Sequence, residues 1–536
     1  MGQTQQYFLI LLLVITLLKS AAGESPRFFA DDPIRAMPAP LPVKNPHPQD
    51  INDSLDFFAD SWHWTQSRPR PAGAVNTLGE VPDSEWFTNR HARRRLSRDE
   101  LQRGPGPSEA PVPPFTVTGG KSGGIMPGFR MKDSKGRSYF VKVDPLNYPE
   151  LASAADVIVS RFLYAIGYNT PKNEVVNVTL PGLRISDTAK ITILGERPRK
   201  MTWGDVEQIV KQVPHYDDGS FRILASLAIG GESIGPFQFE GTRSDDPNDI
   251  VPHEDRRDLR GLNVIYGWLN NTDAKASNTL DVVVAENGIR FVRHYLLDFG
   301  SALGSDGDAP KDPRLGHEFM LSTPGNALKR FVSLGLAPAR WERAHFPDLP
   351  AVGNFESHLF DPDQWKSDYP NPAFMSRMPD DDYWAAKQVM AFTDDDIRAI
   401  VETARYADPR SSEYMIATLA ERRNKIGKSY FSRILPVDFF RVENKELLFD
   451  DLAVRYGFRN PRSYEVRWSK FDNVRQTHQA VSGWGSTHLP PEAIRALSGA
   501  YFCADIRAVG DPLKPVSVYL RKEDNAFRVV GVDRKW

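Results

Sequence analysis

A single cysteine, Cys503, stands among 536 residues. It can form no intramolecular disulfide, so the chain must be held by its own hydrophobic core rather than by a disulfide framework. At this length two or three domains and a large buried core are within reach. Charge of one sign is missing too. Lys plus Arg number 67 and Asp plus Glu 69, which leaves no basic excess to hold a polyanion, and no nucleic-acid partner is expected. The locally basic run from Arg90 to Arg98 reads as a solvated face, with docking of a phosphate or anionic substrate as the alternative. The eleven histidines include no H-E-x-x-H and no Cys/His cluster, so a zinc site has no ligands to draw on. No internal repeat is present.

The apolar run at the amino end, Tyr7 to Leu18, falls short of the roughly 20 residues that span a bilayer. It is followed by Lys19-Ser-Ala21-Ala22-Gly23-Glu24, which fits the hydrophobic region and small-residue cleavage site of a signal peptide over 1–23. Export to a periplasmic or extracellular place is therefore expected. The leading Met-Gly-Gln-Thr-Gln-Gln lacks Lys and Arg, so the alternative is an uncleaved segment anchoring the protein to the cytoplasmic membrane; the membrane is a partner only in that case.

Residues 24–110 are rich in Pro, Arg, Asp and Trp and read as an extended arm that packs through Trp62, Trp64, Trp86 and Phe87. From Phe115 the texture changes. Phe115–Thr118, Pro127–Met131 and Arg137–Val143 alternate as three antiparallel strands, and Pro149-Glu150 opens a helix that Gly167 stops. A second β-like stretch from Ile191 to about Phe239 completes a β-rich region over 111–240. Helical patterns dominate 241–434, with an aromatic-rich segment, Phe355 to Trp384, read as an ordered surface loop. Strand-like pieces return over 435–536, a small β-rich carboxyl-terminal domain.

The sharpest pattern lies in the middle. An apolar-periodic helix, Asp255 to Asn270, delivers the chain to Asp273-Ala-Lys275-Ala-Ser-Asn278; a strand, the turn Glu286-Asn-Gly288 and a second strand then lead to Asp298-Phe299-Gly300. These are the residue types phosphoryl transfer from ATP requires, in the required order. Asp273 can take or orient the proton of an attacking hydroxyl. Lys275 can neutralise charge on the moving group, and the Asn278 amide oxygen and Asp298 carboxylate are hard ligands for Mg²⁺. Two rival motifs fail on context. Gly120-Lys121-Ser122 lacks the first glycine of a Walker loop and no helix can follow it, and Gly231-Glu-Ser233-Ile-Gly235 runs into an extended stretch where a nucleophile elbow needs a helix.

Together these motifs resemble the protein-kinase-like superfamily, in particular divergent members such as the HipA-type and secretory-pathway kinases. The resemblance covers about 115–430. It implies an α+β, two-lobed protein-kinase-like fold, with the amino-terminal arm and the β-rich carboxyl-terminal domain as additions. It further implies ATP with Mg²⁺ or Mn²⁺, Asp273 and Lys275 in catalysis, and Asn278 and Asp298 on the metal. Lys142 then looks like the lysine that grips the ATP phosphates and Glu150 like its helix partner, with Asp156 or Glu174 as alternatives. The Gly-rich stretch containing Gly120, Lys121, Ser122 and Gly123 takes the place of the phosphate-covering loop, although it is not G-x-G-x-x-G. Asn271-Thr272 stands where His-Arg is usual, so control through a phosphorylated activation loop is not expected. The hydroxyl acceptor is unknown: a protein, a carbohydrate or a small molecule. Scarcity of ATP outside the cytoplasm makes an inactive pseudokinase-like binding or scaffold protein of the cell envelope the competing class.

Overall fold

The structure, a computed structural model, describes residues 25–52, 58–60, 70–122, 128–193, 197–321 and 339–536. The expected signal segment, Trp62, Trp64 and Gly123 lie outside the described residues. No helix among the described residues is long and apolar enough to cross a membrane. The chain is mixed α/β and divides into two units, one of 35–75 and 80–433, the other joining the amino-terminal residues to 34 and 76–79 to 434–536.

In the larger unit a short helix, α1 (Arg98–Arg103), precedes a seven-stranded mixed sheet. Its strands are β1 (Phe115–Ser122), β2 (Gly128–Lys132), β3 (Ser138–Val143), β4 (Asn173–Val178), β5 (Leu183–Ile193), β6 (Arg199–Lys200) and β7 (Phe221–Leu227). Their order is β4-β7-β3-β2-β1-β5-β6, with β1 and β5 parallel and the other pairs antiparallel. Side chains alternate across a strand, and β3 shows what this achieves. Tyr139, Val141 and Val143 enter the core that α3 (Trp203–Val210) closes with Val206, Ile209 and Val210. Phe140 and Lys142 are thereby sent to the other face. The stretch expected as β-like from Ile191 thus contains a helix, because Thr202 and Asp205 form a reciprocal cap at its start.

Helix α2 (Leu151–Ile166) is buried around nearly its whole circumference, which its run of Ala, Val, Ile and Leu permits. It ends at Gly167 (φ 152°), whose missing Cβ would lie 2.3 Å from the Phe87 ring. The next elements are β8 (Glu232–Ser233), α4 (Arg257–Leu269), β9 (Thr279–Glu286) and β10 (Ile289–Leu296), the strands forming a three-stranded sheet in the order β10-β9-β8. Trp268 of α4 sets its ring edge-on to Phe162 of α2 at 4.6 Å and donates to the Leu419 carbonyl. This buried junction ties 111–240 to 241–433 within the larger unit. Helices α5 (Pro372–Met375), α6 (Pro379–Met390), α7 (Asp394–Val401) and α8 (Pro409–Tyr430) complete the unit.

The smaller unit holds a two-stranded ladder, β11 (Val437–Glu443) with β12 (Glu446–Asp451), and a five-stranded antiparallel sheet of β13 (Tyr464–Asp472), β14 (Thr477–Gly485), β15 (Tyr501–Ala508), β16 (Val516–Glu523) and β17 (Ala526–Asp533). The stretch expected as one arm is therefore split. Its beginning belongs here because Phe28 is buried against Phe471 and Tyr519, in the room that Gly531 leaves. Trp86, in contrast, stacks on His294 of the larger unit at 3.5 Å. Cys503 is buried in the smaller unit, and burial pushes its thiol up to about 12.

Gly167→Ala should destabilise the protein by about 1–3 kcal/mol in reversible denaturant unfolding, because the Phe87 ring must move and the backbone angle suits only glycine well. A loss below about 0.5 kcal/mol would show that the contact yields freely.

Candidate functional site

The site is assembled by a hairpin. Residues β9 and β10 pair so that Leu296 faces Thr279, and the Leu297 N–H donates to the Asn278 carbonyl at 2.8 Å. The open end of the hairpin thus brings Asp298 back beside Asn278, twenty residues earlier in sequence. The tight turn at the other end has Asn287 and Gly288 both at positive φ, as a two-residue hairpin turn demands. Asp298 itself is left-handed (φ 53°), while Phe299 is fully buried and fixes the strand's exit.

Asp273 is held from both sides. The Asn278 side-chain amide donates to the Asp273 carbonyl at 2.9 Å and to its Oδ2 at 3.0 Å, and Lys275 Nζ lies 3.0 Å from Oδ1. With the amide N–H engaged, the Asn278 amide oxygen is left as the ligand atom.

Lys142 arrives from the sheet. Its Nζ lies 2.9 Å from Asp156 Oδ2 and 2.7 Å from Asp298 Oδ1. Burial pulls the ammonium down, but the two carboxylates more than offset it, and the net shift is upward. Asp156 is buried on α2 and shifts upward because burial outweighs the lysine; its Oδ1 accepts from the Asn173 side chain at 2.6 Å. Asp298, with half of its side chain exposed, shifts downward: burial opposes ionisation, and Lys142 reverses that.

Glu150 is not the partner of Lys142. It stands at the left-handed N-cap of α2 (φ 68°), where its carboxylate accepts from the Tyr216 hydroxyl at 3.2 Å and the Ala407 N–H at 2.9 Å. The reason is the helix phase. Asp156, almost two turns on, is the acid that α2 turns toward Lys142. Glu174, the other alternative, pairs with Arg161 and Lys172. Gly120, Lys121 and Ser122 also depart from expectation, since they lie within β1 and pair with β2 and β5 rather than forming a loop. At Gly120 a Cβ would come 2.9 Å from Met201 Cε, so packing accounts for that glycine. The basic run Arg90–Arg98 is largely spent on internal pairs, including Arg95 with Asp396 and Arg98 with Glu402.

Sequence reasoning missed the brace behind the loop. The segment read as a surface loop buries Phe355, Phe360 and Trp365. Trp365 donates to the Asn270 side chain at 3.0 Å, the Asp368 N–H to the Thr272 carbonyl at 2.9 Å, and the Asn371 amide to the Ala274 carbonyl at 3.1 Å. Fully buried Lys311 donates to Thr272 Oγ1 at 2.9 Å. Four side or main chains therefore hold 270–274. The density of Trp, Phe and Tyr in 355–384 was the available signal.

Among the described residues no group of three or more His, Cys, Asp or Glu could hold a metal ion. The Asn278 amide oxygen and the Asp298 carboxylate fit an ion of the Mg²⁺ type, which takes one or two protein oxygens and completes its shell with phosphates and water.

No family model matches the chain, and no curated protein does. Among solved structures, the proinflammatory kinase CtkA of Helicobacter pylori is similar over 57% of this chain and 89% of that chain, at 12% identity and a TM-score of 0.30. A likeness at that level assigns no function to the residues above.

Asp156→Ala should cost about 1–3 kcal/mol, since Lys142 keeps only the exposed Asp298 and the Asn173 amide loses its acceptor. The pH dependence has two edges. The contribution of Asp298, whose pKa is lowered on folding, is present above the ordinary carboxylate range and is lost as pH falls through it. That of Lys142, whose pKa is raised, is present below the ordinary ammonium range and is lost in strong alkali. Chemical denaturation across pH measures both; a variant with unchanged stability at neutral pH would contradict the triangle.

Proposed function

We propose that the protein binds a nucleoside triphosphate with Mg²⁺ or Mn²⁺ and transfers its γ-phosphoryl group to a hydroxyl on a protein, carbohydrate or small molecule. The observation that carries this reading is the convergence of Lys142, Asp156 and Asp298 with the Asn278–Asp273–Lys275 group.

Each residue then has a task set by its chemistry. Lys142, positioned by Asp156, pairs with phosphate oxygens in place of the Asp298 carboxylate it now contacts. Asp273 accepts the proton of the attacking hydroxyl; the new O–P bond forms as the bond to the leaving nucleoside diphosphate breaks, and that diphosphate keeps the electron pair. Lys275, already on Asp273, offsets negative charge between base and phosphoryl group. Asn278 keeps Asp273 oriented. A divalent ion on Asn278 and Asp298 would supply charge neutralisation for the phosphates.

The test needs no knowledge of the acceptor. ATP with Mg²⁺ or Mn²⁺ should raise the melting temperature, by about 2.7 kcal/mol of stabilisation at a hundredfold excess over the dissociation constant. Asp273→Asn should leave that shift in place while slowing ADP release to water by roughly 10²–10⁴-fold. Asp298→Ala should lose the metal-dependent shift as well. Absence of any shift with either metal at millimolar nucleotide overturns the reading, and a shift without turnover favours a nucleotide-binding protein that does no chemistry.

A further inference from the structure

A cavity of about 330 Å³ opens at the amino end of α2, within the roughly 300–1,000 Å³ that small-molecule sites occupy. It is lined by residues that the nucleotide chemistry does not use. Its apolar lining includes Pro214, Leu349, Pro350 and Ala351. The charged lining is unequal: carboxylates of Asp144, Glu150, Asp348 and Asp408 stand against guanidinium groups of Arg222 and Arg410. Four anions against two cations leave two negative charges. Asp408 is matched by Arg410 at 2.7 Å, and Asp144 has Arg222 at 3.5 Å. Glu150 is different. It is buried, its hydrogen bonds come from two neutral donors, and among the described residues no cation forms an ion pair with it. The start of α2 supplies only about half a positive charge, which does not cancel the excess. Asp348, at the exposed edge, adds to the same field.

We infer that this cavity binds a small molecule with an apolar ring or chain and one ammonium group, the apolar part against the proline and leucine lining and the ammonium toward Glu150 and Asp348. Burial of the apolar part supplies affinity, and the excess of carboxylates over guanidinium groups chooses the sign of the charge. The site lies on the helix that also carries Asp156, but binding there requires no nucleotide and stands apart from the transfer reaction.

Two indole compounds of similar shape and opposite charge decide it. Tryptamine titrated calorimetrically into the full chain should bind saturably at one site, and indole-3-propionate should bind at least about tenfold more weakly. Ala351→Trp, which fills the cavity, should abolish tryptamine binding. Asp348→Asn, at an exposed position, should narrow the difference between the two compounds. Equal or tighter binding of the acid overturns the charge argument. Failure of tryptamine to bind, or its unchanged binding to Ala351→Trp, overturns the site.

Discussion

The ammonium of Lys142, held between Asp156 and Asp298, is the interaction on which the functional geometry depends. It joins three parts of the chain that no local rule would bring together: a strand of the large sheet, a buried helix and the end of a hairpin. Two carboxylates this close to one site repel unless a cation lies between them. The lysine therefore fixes both acids, and each of the three side chains takes its ionisation from the other two. A group so balanced responds strongly to a new charge, since a phosphate draws the lysine and a cation draws Asp298.

Everything around this triangle serves its rigidity. The alternation of β3 sends Val141 and Val143 into the core and Lys142 away from it. The β9–β10 register closes the distance between Asn278 and Asp298. Behind the loop at 270–274, Trp365, Asp368, Asn371 and Lys311 satisfy side-chain and main-chain groups that would otherwise be buried without partners. A site built in this way is held in place before any ligand arrives, which lowers the ordering cost of binding.

Much of this was legible in the sequence because its signals are local. The periodicity of 151–166 and 257–269, the Asn-Gly turn and the strand alternation each depend on neighbours a few residues apart, and the structure has those elements. The identity of the acid facing Lys142 was not local. Glu150 caps the helix that carries Asp156, and only the packing of that helix against the sheet selects between them. Gly120 misled for a similar reason, as a glycine that makes room for Met201 reads like a glycine that makes room for phosphate. The brace at 365–371 was hidden because Pro and Asp imitate a surface loop when their burial partners are a hundred residues away.

The most direct test of the account is a crystal structure with Mn²⁺ and a non-hydrolysable ATP analogue. The account predicts an anomalous manganese peak at ligand distance, about 2.1 Å, from Asn278 and Asp298, with the Lys142 ammonium moved from Asp298 to a phosphate oxygen and still paired with Asp156. Nucleotide bound elsewhere, or manganese away from both residues with the Lys142–Asp298 pair intact, would contradict it.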